Sequence, residues 1–149
     1  ENLFDSTHPV IKELRSAIEA RAKEFLSTLT RVKKHPFLSR LSQDIDFIGS
    51  WSVRLRQKGF HKSHYHSEGW LSGVLYVDVP AEVKINGHGW LVFGRPDISG
   101  VDMTEDYAVK PQEGNVVFFP SYIWHGTNPI LSNQQRLTVA FDIVPNPTS

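Results

Sequence analysis

The chain has no cysteine and a single methionine among its 149 residues. Without thiols there are no disulfides, zinc-thiolate sites, iron–sulfur clusters or cysteine nucleophiles, so any chemistry must use histidine, carboxylates, hydroxyls or a bound cofactor. Neither sign of charge dominates: 16 Lys and Arg offset 16 Asp and Glu, for a formal net charge of +0. A nucleic-acid partner is therefore disfavoured, and nothing draws the whole molecule onto an acidic membrane. Long apolar runs are lacking; stretches such as 70–79 and 115–120 fall far short of the ~20 residues a membrane helix needs. No basic-then-apolar signal opens the chain, and a cytoplasmic protein is expected. Also missing are a Gly-rich dinucleotide loop, a phosphate loop, His-Glu-x-x-His and Gly-x-Ser-x-Gly. Beginning at Glu1 rather than Met, the chain is expected to belong to a longer protein. With 40% apolar and 11% aromatic residues, it has the composition of one domain, 1–149, able to bury a core.

The hydrophobic period divides that domain in two. Ile11, Leu14, Ile18, Ala22, Phe25 and Leu29 recur at steps of three and four, which predicts an amphipathic helix capped by Ser6 or Thr7, with Pro9 in its first turn. The charged residues between them form its solvated face. His35-Pro36 ends this helical cover, assigned to 7–43, and Phe37 to Gln43 reads as a connector. From Ile45 the period becomes two. Strands are predicted from Ile45 to a stop at Lys58-Gly59 and at 60–66, 70–79, 90–93, 107–110, 115–119 and 136–144, separated by Gly and Pro. Many short strands after one helix predict a β-sandwich or small barrel over 44–145 with the helix packed outside. In the last strand Leu137, Val139, Phe141 and Ile143 share one face and Arg136, Thr138, Ala140 and Asp142 the other. The polar faces are expected to look into the barrel and the apolar faces toward the helix.

Histidine carries the strongest chemical signal. His61, His64 and His66 crowd one predicted strand, and His125 follows a later one. Side chains at i and i+2 of a strand point the same way, about 6.5 to 7 Å apart at the backbone, so His64 and His66 can converge on one ion. His125, in a Pro-flanked loop, is the natural third ligand, and three nitrogens on one side of a metal leave its other positions open. His61 has the wrong parity in a regular strand and is kept as an outer-sphere or substrate-side candidate. Arg136 opens the last strand with Thr138 on the same face. Alone it would read equally well as an exposed ion-pair partner. Beside a metal triad, guanidinium and hydroxyl form a carboxylate clamp for a small acid that also chelates the metal. Arg54 and Arg56 share a strand face that looks into the barrel if Trp51, Val53 and Leu55 look out, where they either touch an acidic substrate or line a wet edge, and Trp124 either floors the pocket or joins the core.

Three segments, Ser50 to Arg56, Gly59 to His66 and Gly69 to Val77, continued by Phe118 to Thr127 and Arg136 to Pro145, resemble the 2-oxoglutarate- and iron(II)-dependent oxygenases often found C-terminal to tetratricopeptide repeats. The resemblance spans roughly residues 47–145. It implies a double-stranded β-helix (jelly roll, cupin-like) and a dioxygenase that couples oxidative decarboxylation of 2-oxoglutarate to hydroxylation of a substrate, using Fe(II), 2-oxoglutarate and O2. By the same likeness His64 and His125 are iron ligands, Arg136 with Thr138 binds the distal carboxylate of 2-oxoglutarate, Tyr76 hydrogen-bonds that cosubstrate, and Ser72 is a weaker candidate on the same strand face. One departure stands out. The wider superfamily uses His-x-Asp/Glu with a distal His, whereas this chain has His66 at the carboxylate position. Either three neutral imidazoles hold the iron, the reading favoured by strand geometry, or another group such as Glu68 steps in. A cupin-type metalloenzyme or metal-binding module that does not use 2-oxoglutarate is the main alternative, and a catalytically silent sensor or scaffold a third. The substrate, whether peptide or small molecule, depends on loops such as Pro96 to Asp106.

Overall fold

The computed structural model describes residues 2–84, 87–94, 96, 99 and 107–146. One helix, α1 (Pro9–Ser27), precedes eight strands: β1 (Ile45–Leu55), β2 (His61–His64), β3 (Leu71–Asp78), β4 (Leu91–Phe93), β5 (Tyr107–Val109), β6 (Val116–Pro120), β7 (His125–Thr127) and β8 (Arg136–Pro145). They form two four-stranded antiparallel sheets, ordered β1-β8-β3-β6 and β2-β7-β4-β5, which is the jelly-roll arrangement. Most of the 96–106 loop lies outside the described residues. No helix among the described residues is long and apolar enough to cross a membrane.

The predicted helical stripe is the packed one. Ile18, Ala22 and Leu26 are buried, and Ile11, Leu14, Phe25 and Leu29 lean on the same cluster, which includes Val139, Phe141 and Ile143 of β8. Phe25 stacks on Phe118 of β6, joining α1 to the outer face of the larger sheet. The connector adds a wall: Phe37 stacks on Trp70, whose indole N–H donates to the Phe37 carbonyl at 3.0 Å, satisfying a polar atom that burial would otherwise strand. The cap differs from expectation. His8 is the N-cap, its Nδ1 accepting from the Val10 N–H, while Ser6 Oγ accepts from the His8 N–H; Pro9 does occupy the first turn.

The alternation in β8 sorts as expected, with Phe141 and Ile143 under the helix and Arg136, Thr138 and Ala140 lining the space between the sheets. In β1 it does not. A bulge between Phe47 and Gly49 inserts one residue, so Phe47 opposes Ile143 on the helix side while Trp51 opposes Ala140 and Val53 opposes Thr138 on the inside. Arg54 is therefore turned outward and exposed, and Arg56 is exposed beyond the end of the strand. Trp51 and Val53 take the inward positions expected for the arginines. The loop expected to hold His125 contains β7, a three-residue strand created by pairing with β2 and β4.

Phe141 is the hub of the outer core, meeting Phe4, Phe47 and Phe118. A Cβ at Gly73 would collide with its ring. Phe141→Ala should cost about 3–5 kcal/mol, and Gly73→Ala about 1–3 kcal/mol, both read from urea unfolding midpoints.

Candidate metal centre

β2 and β7 run antiparallel with His64 directly opposite His125, so both side chains leave the smaller sheet on its inner side. His66 lies two residues past His64, tied in by its own N–H to the Ser121 carbonyl at 2.9 Å. Parity does the rest: the ring centroids are 4.4 Å apart for His64 and His125, 4.9 Å for His66 and His125, and 5.1 Å for His64 and His66. One ring nitrogen from each lies within 4.8 Å of the others.

Every Nδ1 faces an oxygen. His64 Nδ1 is 2.7 Å from the Lys62 carbonyl, His125 Nδ1 is 2.9 Å from the Ile123 carbonyl, and His66 Nδ1 is 2.7 and 2.8 Å from the two carboxylate oxygens of Asp142. A carbonyl or carboxylate oxygen accepts, so in the neutral rings that ligate a metal the proton sits on Nδ1 and Nε2 is a lone pair. His64 Nε2 and His66 Nε2 are nevertheless 3.1 Å apart. Two lone pairs at that distance repel unless a cation lies between them. Two nitrogens bound side by side to one ion at about 2.0–2.1 Å stand roughly 3.0–3.4 Å apart, so the spacing suits a divalent metal. Burial pushes the His125 imidazole down to about 4; the Ile123 carbonyl acts against that shift, and His64 and His66 act with it.

The same cavity holds the second half of the predicted site. Arg136 and Thr138 line it with the three histidines, and Trp51, Val53 and Val74 form its apolar wall. Arg136 is 2% exposed, with its guanidinium carbon 5.2 Å from the centre of the Tyr76 ring, itself 1% exposed. Burial lowers the Arg136 pKa, an effect opposed by Tyr76, and raises that of Tyr76, where Arg136 opposes it. The guanidinium nonetheless stays charged. Neither Arg136 Nε nor the Tyr76 hydroxyl reaches a partner at full hydrogen-bonding geometry among the described residues, although the two side chains lie close enough for each to favour the other's charged form. An unmet buried donor costs about 1–3 kcal/mol; Arg136 lines the cavity, where a carboxylate would meet it, whereas Tyr76 is not among the lining residues. The residues thus fit both a metal and a carboxylate.

His61 enters the cavity as well. A register shift between His61 and His64 cancels the parity that would have turned it away, and its ring lies 6.3 Å from that of His64. Burial, then Arg136 and His64, hold its pKa below the ordinary value. Ser72 faces inward, but its Oγ donates to Asp142 at 2.6 Å. Glu68 is exposed and outside the histidine group. Trp124 does not line the cavity; its ring packs at 5.0 Å against half-exposed Tyr65. Arg54 and Arg56 do not join this group. Asp142, Trp51 and Val53 are the site residues that sequence reasoning missed. For Asp142 the signal was present, since β8 alternation set it on the inward face.

A jelly roll with an open three-nitrogen site is the framework of a non-haem metalloenzyme. Residues 49–142 match the family model described as "Putative 2OG-Fe(II) oxygenase", and the chain belongs to that family, whose cofactors are Fe(II) and 2-oxoglutarate. Solved structures share the fold. A 2OG-Fe(II) oxygenase family oxidoreductase from Burkholderia pseudomallei superposes with a TM-score of 0.54 at 13% identity, over 68% of this chain and 45% of its own. A Pseudomonas putida prolyl-4-hydroxylase gives 0.50 at 23% identity, over 68% and 52%. The non-heme alpha ketoglutarate dependent epimerase SnoN from nogalamycin biosynthesis gives 0.52 at 14% identity, over 68% and 49%. The chain thus spans about half the length of these structures. No curated protein matches the sequence.

The His125 shift has a measurable consequence for the metal-free protein. Between pH 6.5 and about 4 the unfolded chain binds a proton at His125 that the folded chain refuses, so stability falls as pH falls across that window. The full effect is about 3 kcal/mol. Urea unfolding at stepped pH should show this slope, flattened in His125→Gln.

Proposed function

We propose that the chain is a dioxygenase whose His64, His66 and His125 hold iron(II) and whose Arg136, Thr138 and Tyr76 hold 2-oxoglutarate, with hydroxylation of an organic substrate as the outcome. When bound, iron and cosubstrate supply the redox chemistry: one oxygen atom of O2 enters succinate as CO2 leaves, and the other enters a C–H bond of the substrate. The protein's own part is position and charge. Arg136 neutralises the distal carboxylate inside a water-poor cavity, where a charge-assisted pair is strong. Thr138, on the same strand face, adds a hydroxyl donor. Tyr76, whose ring lies against the Arg136 guanidinium, backs the arginine from outside the cavity lining. His64, His66 and His125 would hold the metal through Nε2, and the metal would supply chelation of the keto acid and activation of O2. Trp51, Val53 and Val74 give the cavity its apolar wall.

The observation that carries this reading is the coexistence, in one cavity, of converging imidazole lone pairs with a buried arginine that lacks a partner for Nε. A metal module that did not use 2-oxoglutarate would have no use for that arginine. Hydroxylation is preferred to other oxidative outcomes because transfer of the oxygen atom needs no further residue in the cavity.

Two measurements test it. Calorimetric titration of the metal-loaded protein with 2-oxoglutarate should saturate, and Arg136→Ala should raise the Kd at least about 30-fold, the cost of truncating one partner of a buried charge pair. Thr138→Ala should raise it about 10- to 150-fold, one hydrogen bond to a charged group. Succinate should form in wild type and be lost in Arg136→Ala and in His125→Ala; formation that ignores both changes refutes the assignment.

A further inference from the structure

Three imidazoles bring no negative charge to a divalent ion. The anion behind them is Asp142, and its surroundings are specific. Both carboxylate oxygens lie within 2.8 Å of His66 Nδ1, Ser72 Oγ donates to Oδ1 at 2.6 Å, and Ser121 Oγ is 2.8 Å from Ser72 Oγ. Asp142 is 9% exposed, and among the described residues its one ion-pair partner is His66. The other two histidines donate from Nδ1 to backbone carbonyls two residues away. Only His66 is held by a charged group, and that group comes from 76 residues along the chain.

We propose that Asp142 is the positioning residue of the metal centre: through His66 it fixes the tautomer and direction of one ligand and supplies, one ring removed, the negative charge that the three imidazoles lack. The inference rests on the metal-centre reading above. A carboxylate accepting from the far nitrogen of a ligating imidazole locks the ring and raises the basicity of the near nitrogen. The dependence runs both ways. A buried carboxylate is costly unless donors surround it, and beside Ser72 Oγ Asp142 has its second donor only while His66 keeps the proton on Nδ1. That same placement leaves Nε2 as a lone pair aimed at the other two. The orientation is thus built by β8 and β3, which carry Asp142 and Ser72, before any ion arrives. The backbone carbonyls behind His64 and His125 orient their rings without adding charge.

The test is anaerobic titration of the full chain with Co(II), whose visible absorption reports its ligands, in wild type, Asp142→Asn, Asp142→Ala and Ser72→Ala. Each variant is first checked for folding by metal-free thermal unfolding. Asp142→Ala should weaken Co(II) binding about 10- to 100-fold and alter the spectrum. Asp142→Asn keeps an oxygen to accept from Nδ1 but no charge, so its loss should be intermediate, and that of Ser72→Ala smaller still. Ring-nitrogen NMR of the metal-free protein adds a readout that packing damage alone would not move: the His66 Nδ1–H signal should be present in wild type and Asp142→Asn and lost in Asp142→Ala. A wild-type chain that takes up no Co(II) overturns the metal centre itself. A wild-type chain that binds while folded Asp142→Asn stays within about threefold of its Kd overturns only the role given to Asp142, and a larger loss upholds it. Asp142→Asn, nearly the same shape, decides the matter if Asp142→Ala does not fold.

Discussion

Lone pairs pointed into the same small space push one another apart, and in this molecule three of them are held together before any ion arrives. The pairing of His64 with His125 across β2 and β7 sets two of them, and the hydrogen bond of the His66 N–H to the Ser121 carbonyl brings in the third. Neither would suffice without the oxygens behind the rings. Each Nδ1 is engaged, so each ring has one proton placement and one direction. The Nε2 atoms of His64 and His66 end 3.1 Å apart, an arrangement that gains stability when a cation enters.

The work of holding this arrangement is divided between the two faces of one sheet. On the outer face, β8 gives Phe141 and Ile143 to a core closed by α1 and the Phe37–Trp70 stack. On the inner face the same strand gives Arg136, Thr138 and Asp142, all buried. A strand anchored by aromatic packing on one side can carry buried polar groups on the other, because the packing stabilisation offsets their desolvation. Arg136 is the extreme case: its Nε has no hydrogen-bond partner among the described residues, a cost that the packing on the outer face must offset.

Family membership leaves both the outcome of the reaction and its target open, as the shared fold of a prolyl hydroxylase and an epimerase illustrates. The walls that meet a substrate include Trp51 and Val53, which reach the cavity only because β1 is bulged.

The linear order of residues was enough to set the helix, seven of the eight strands, the inward polar face of β8, and the meeting of His64, His66, His125 and Arg136. The elements and faces follow from periods of 3.6 and 2 acting over short distances, and the meeting of the histidines with Arg136 from the matching chemistry of those residues and the family resemblance of the segments that carry them. What it could not decide were features made by partners far along the chain. The bulge at Phe47/Gly49 reversed the parity of β1, exposing Arg54 and admitting Trp51; the shift in β2 admitted His61; β7 exists only because β2 and β4 flank it. Trp124 packs on Tyr65 rather than the cavity, and Ser72 turns to Asp142. The link between His66 and Asp142 joins residues that local pattern treats as unrelated. A single inserted residue flips every side chain beyond it, and a hydrogen bond depends on where two strands finally lie, so only the folded chain could settle these points.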